Sequence, residues 1–222
     1  MRKGISVTAA GPGADAARRR VHPPCLVLLL LLLALAPAAR AELIDRIAVS
    51  VGNRVITESD LQRQIRVIAF QNGDKPDFSA ANKHAVAEKM IDQKLIEREL
   101  ENARYPMPDA ADLAPAIAEF KKTHYPDEAA FQRALAEYHI NEQDLLDVLL
   151  WERTLLEFIQ IRFESGVLVS EQEVADYAKQ HKLDTSDAEH ALISGRADQQ
   201  LEIWLRDARN RTPVIVHEEA LR

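Results

Sequence analysis

The feature that most constrains this chain is a small supply of β-structure divided between its two ends. Ile44, Ile47, Val49 and Val51 lead to the turn pair Gly52-Asn53, and Val55-Ile56 resume the apolar pattern after it. That reads as a hairpin, and a two-stranded hairpin on its own is marginal in water. Only one later run has strand character, Pro213-Val214-Ile215-Val216-His217. It is the candidate third strand. The sequence therefore predicts a mostly α fold whose ends close one small antiparallel sheet around a helical body.

The body is legible as a series of helices. Thr57-Glu58-Ser59-Asp60 opens the first, with Ser59 and Gln62 at capping-box spacing. Leu61, Ile65 and Ile68 share a face, and Gln71-Asn72-Gly73-Asp74 ends the run. A long second helix is predicted from about Ser79 to Arg104, with the apolar stripe Val86, Met90, Ile91, Leu95 and Leu100. Its acidic pairs, Glu88/Asp92 and Glu97/Glu101, read as solvated faces. Tyr105-Pro106-Met107-Pro108 stops it. A third helix lies between Asp109 and Thr123, and Pro115 requires that it start late, near Asp112. A short fourth carries Phe131 and Leu135. The fifth carries Leu145, Leu149, Leu156, Ile159 and Phe163, apolar nearly all round, and so is predicted to be the most buried. Gly166 breaks the chain. Ser170 and Glu173 then form a second capping box, a polar stretch runs from His181 to Glu189, and a last helix carries Leu192, Leu201, Trp204, Leu205 and Ala208.

Ahead of the hairpin, Arg18-Arg19-Arg20 precede an apolar block from Leu26 to Leu35, and Pro37-Ala38-Ala39-Arg40-Ala41 follow. A basic region, an apolar region and a small-residue site make a secretory signal peptide over residues 1–41. The block is short for a membrane span, which needs about 20 residues; an uncleaved signal anchor is the alternative. Cys25, the one cysteine, lies before the apolar block rather than after it, which argues against a lipid anchor. Cleavage at Ala41 leaves 181 residues without cysteine, hence without disulfide, thiol catalysis or cysteine metal ligands. It also removes six Lys/Arg and one acidic residue, leaving a net charge of −12. Such a chain is a poor nucleic-acid binder, since phosphate contacts need clustered Lys and Arg.

The chemistry-bearing patterns are sparse. The chain has no His-Glu-x-x-His, no Gly-rich phosphate loop and no Gly-x-Ser-x-Gly elbow. His84, His124, His139, His181, His190 and His217 are scattered, with no helical His pair. No catalytic role, cofactor or metal is expected. Aromatic and sulfur side chains on helices that must pack are the remaining resource. Phe70, Met90, Phe120, Phe131, Tyr138 and Trp151 are the candidates for contact with a bound polypeptide in an apolar groove; plain core is the competing reading for each.

Several stretches together resemble a known family. "IDRIAVSVGNRVITESDLQRQI" behind a signal peptide, "EKMIDQKLIEREL", "DEAAFQRALAEYHINEQDLLDVLLWERTLLEFI", "VSEQEVADYAKQH" and "QQLEIWLRDARNRTPVIVHEEAL" are similar, in this order, to segments of the SurA-like periplasmic chaperones. The resemblance implies an N-terminal helical chaperone domain over 42–165, a linker helix and polar segment over 166–190, and a C-terminal helix and strand over 191–222 that pack back on it. It further implies a periplasmic, ATP-independent holdase for unfolded outer-membrane or other envelope proteins. The departure is the parvulin isomerase domain: the interval from Lys179 to Gln200 is far below the hundred or so residues of a small domain. Isomerase activity is therefore not carried over. The alternatives are a dedicated assembly partner of one envelope protein built on the same fold, or a degenerate isomerase.

Overall fold

The computed structural model describes residues 45–222. The signal-peptide reading, Cys25 and Ile44 lie outside the described residues. Strand β1 (Ile47–Val51) turns through Gly52-Asn53 into β2 (Arg54–Thr57), and β3 (Val214–Val216) adds to the other edge of β1. All pairings are antiparallel and the order is β2-β1-β3. The two ends of the described chain therefore meet in one sheet, as the apolar patterning requires. Gly52 takes φ +61°, the left-handed region where glycine carries no Cβ penalty. Its N–H donates to Pro213 O at 2.8 Å, tying the hairpin turn to the start of β3.

Eight α-helices occur among the described residues: α1 (Glu58–Asn72), α2 (Ala80–Ala103), α3 (Ala114–His124), α4 (Glu128–Glu137), α5 (Glu142–Arg162), α6 (Glu171–His181), α7 (Thr185–Asn210) and α8 (Glu218–Leu221). Short 3-10 turns precede α3 and follow α5. None of the described helices is long and apolar enough to cross a membrane.

The local signals are mostly where the sequence put them. Ser79 caps α2, Ser170 and Glu173 form the capping box of α6, and Pro115 sits in the first turn of α3. Three expectations are corrected. First, the capping box of α1 is Thr57 with Asp60, not Ser59 with Gln62. The cap must be extended, and Thr57, the last residue of β2, already is. Ser59 instead donates its hydroxyl to the Asp45 carboxylate. Second, the break within the polar stretch His181–Glu189 is short: α6 ends at His181 and Lys182–Asp184 alone separate it from the last helix. Asp184 caps α7, which then runs unbroken for 26 residues. Third, α5 is not the most buried helix. It buries Leu145, Thr154 and Phe158, whereas α2 buries eight residues from Lys83 to Leu100. The reason is position: α2 packs against the sheet, α1, α7 and α8, while α5 leaves Leu156 and Ile161 in solvent at 65% and 45% exposure.

Three packed cores result. The sheet's inner residues Val49, Val51 and Ile56 meet Leu61 and Ile65 of α1, Ile91 and Leu95 of α2, and Leu221 of α8. A second core gathers Val67, Phe70, Phe131, Leu135, Ile140 and Leu145; a third gathers Ile96, Leu100, Phe158, Phe163 and Ala197. Full burial of a side chain of this size stabilises by about 1.5–3 kcal/mol. Trp204 packs against both the first and the third core.

The acidic pairs on α2 are not simply solvated either. Glu97 and Glu101 both accept from Arg54 of β2, the former at 3.1 Å. Glu88 and Asp92 accept from Arg209 of α7 at 2.5 and 2.6 Å. Arg98 donates to the buried Thr212 hydroxyl at 2.6 Å, and Thr212 in turn donates to Ala208 O. One long helix thus holds the hairpin through Glu97 and Glu101 and the C-terminal segment through Glu88, Asp92 and Arg98.

Candidate functional site

Helices α1, α2, α5 and α7 do not close completely on one another. A groove of about 450 Å³ runs between them. Its floor is apolar: Ile68 from α1, Met90 and Ile96 from α2, Trp151 and Leu155 from α5, Leu201 and Leu205 from α7. The spacing of Val148, Trp151 and Leu155 (i, i+3, i+7) puts one face of α5 into it, and Gln64, Ile68 and Gln71 do the same for α1.

The rim carries carboxamides. Gln64, Gln71 and Asn72 stand on α1 and Gln93 on α2. Gln71 Nε2 donates across to Glu152 Oε1 of α5 at 3.3 Å, and Gln93 Nε2 donates to Glu97 Oε1 at 2.9 Å. Gln64 and Asn72 make no side-chain hydrogen bond among the described residues. Asp92 lies where α2 passes α7. Burial pushes its carboxyl above the usual aspartate range, the neighbouring Glu88 adds to this, and the Arg209 guanidinium opposes it.

Of the six candidate contact residues, the structure brings Met90 and Trp151 to this groove. Met90 is mostly enclosed; Trp151 is partly exposed. The other four lie together elsewhere. Phe70 stands at the centre of an aromatic cluster with Phe120, Tyr125 and Phe131 at 6.3 Å and Tyr138 at 5.4 Å between ring centroids. Phe131 is fully enclosed beneath the Lys121 ammonium, which sits 4.5 Å from its ring centre. A ring with no exposed surface has none to offer a ligand, so Phe131 is core, and Phe70, at 5% exposure, nearly so.

The residues that sequence reasoning missed are the amides. The signal was present, since Gln64 and Gln71 fall on the same helical face as Ile68. An amide on an apolar stripe reads as an interruption until the neighbouring helices are known. Among the described residues no group of three or more His, Cys, Asp or Glu could hold a metal ion, and no buried side-chain polar atom lacks a hydrogen-bond partner. The arrangement offers surface and hydrogen bonds rather than a nucleophile beside a base. The chain matches no protein-family model and no curated protein.

Proposed function

We propose that this protein is an ATP-independent holdase of the periplasm, exported by a signal peptide at residues 1–41, that binds unfolded segments of envelope proteins, outer-membrane proteins among them. The observation that carries the reading is the groove between α1, α2, α5 and α7, with its apolar floor and amide rim. An unfolded segment presents apolar side chains and, at every residue, a backbone N–H and C=O. A carboxamide can donate to one and accept from the other, so Gln64 and Asn72 suit any sequence in extended form. Trp151 offers a flat apolar surface to whichever side chain lies on it. Covering apolar area gains about 25 cal/mol per Å², and ordering the segment offsets much of that, which leaves an affinity on the order of micromolar. The resemblance to SurA-like chaperones supports the same reading from a separate direction. The protein acts by binding and catalyses no reaction.

The test mixes the purified protein with a denatured β-barrel protein and follows light scattering, beside a proline-isomerisation assay. Suppressed scattering without added nucleotide, weakened by Trp151→Ala, is the expected result. Unchanged scattering at several-fold molar excess, or isomerisation above background, refutes it. A second reading, a dedicated assembly partner, draws support from a different surface. Ile161, Leu168 and Ile203 are exposed at 45%, 88% and 51% around Phe163, and such a surface suits one fixed interface. Binding to a single envelope protein and to no unrelated denatured client would favour it.

A further inference from the structure

A second cavity of about 240 Å³ adjoins the groove, shares Gln64, Met90, Gln93 and Val148 with it, and reaches Asp60, Arg63 and Lys94, with Asp144 and Asp147 from α5. Most charges along the combined cleft are already matched. Arg63 pairs with Asp60 at 3.1 Å and with Asp144 at 3.2 Å. Lys94 pairs with Glu97 at 3.0 Å, and Asp92 with Arg209 at 2.6 Å. Two carboxylates remain without a cationic partner among the described residues, Asp147 and Glu152, both exposed on the α5 edge. Each accepts from a neutral amide only: Asp147 from Gln143 at 2.6 Å, Glu152 from Gln71 at 3.3 Å. Lys89 on α2 is the one unmatched cation of the cleft among the described residues.

Resting on the holdase reading, we infer that this cleft selects extended apolar segments bordered by lysine or arginine. The α1 side of the cleft spans Asp60 to Asn72, about 18 Å at 1.5 Å per residue, which accommodates about five residues of extended chain at 3.3 Å each. Asp147 and Glu152 stand beside the apolar positions Val148 and Trp151, about 7.5 Å apart along the α5 axis, and the long side chains of lysine or arginine bordering such a segment reach back along it toward them. The net charge of −12 on residues 42–222 adds a long-range attraction of the same sign. A segment bordered by glutamate meets both carboxylates as like charges.

Three labelled peptides with one apolar five-residue core, flanked by lysines, by serines or by glutamates, test this by fluorescence anisotropy with the purified full chain. A change in tryptophan emission that disappears in Trp151→Phe, which leaves Trp204 as the remaining tryptophan, reports that binding is in the cleft. At low ionic strength the lysine-flanked peptide should bind about three- to ten-fold more tightly than the serine-flanked one, the glutamate-flanked peptide most weakly, and the preference should collapse at about 1 M salt. The double variant Asp147→Asn/Glu152→Gln changes exposed groups without changing their shape. It should lose the lysine preference, so that the lysine- and serine-flanked affinities converge. Equal affinities for the lysine and serine peptides overturn the inference while leaving the holdase reading intact. So does a preference that survives in the double variant, since overall charge would then be its source. Failure of all three peptides to bind overturns both.

Discussion

Removing the Trp204 indole should loosen two cores at once. Its ring lies 5.6 Å from Phe158, steeply inclined at 64°, with the Arg162 guanidinium 5.5 Å from its centre. On one side it packs on the core beneath the sheet and on the other on the α2–α5–α7 core. Truncation of a large buried aromatic costs about 3–5 kcal/mol. Trp204 is only partly buried, which places the expected loss near the lower end, about 3–4 kcal/mol including the edge-to-face pair with Phe158. For a domain of this size each kcal/mol moves the melting temperature by about 2–4 °C, so Trp204→Ala should lower Tm by about 6–16 °C. Far-UV circular dichroism melts at matched pH and salt measure it. Trp204→Phe retains a ring against Phe158 and should recover more than half of the loss. Trp151→Ala, made in the groove wall, is the internal control and should move Tm far less. A Trp204→Ala shift below about 2 °C would refute the argument that this side chain joins the two cores.

Three further outcomes are expected. Gly52→Ala places a Cβ in left-handed backbone and 3.3 Å from Thr212 Cγ2, so it should destabilise by about 1–2 kcal/mol in urea unfolding, with no change in far-UV spectrum. Arg209→Met removes both ion pairs from α7 to α2 and should cost about 1 kcal/mol, an effect that shrinks as salt is raised, read from denaturation midpoints at two ionic strengths. Bonds from the Ser170 backbone and side chain, and then from Arg196, bring the Glu173 carboxyl down to about 2. Its folded value lies below the ordinary glutamate value. The stabilisation of the α6 start is therefore present above about pH 4.5 and is lost as pH falls toward 2. A carboxyl ¹³C titration should find that midpoint, and Ser170→Ala should raise it.

The sequence by itself determined the elements and the closure of the chain. Period-two alternation around Gly52-Asn53, and its return only at Val214–Val216, left few ways to cover apolar strand edges, so a third strand from the C-terminal run was legible, whereas its place on the β1 edge rather than the β2 edge was not. Helix starts at Ser79 and Ser170 were legible because a cap is a local hydrogen bond, decided within four residues. Tertiary structure decided whatever depends on neighbours. The all-round apolar pattern of α5 was compatible with burial on every side, but helices pack against only part of it, and Leu156 stays in water. Glu88, Asp92, Glu97 and Glu101 looked like a solvated face because their partners, Arg209 and Arg54, lie more than a hundred and about forty residues away respectively. Phe70, Phe131, Met90 and Trp151 were equally plausible contact residues in the sequence. Only the packing of four helices separates an enclosed aromatic cluster from a groove wall, because a cleft is the space that several elements fail to fill and no single stretch of chain encodes it.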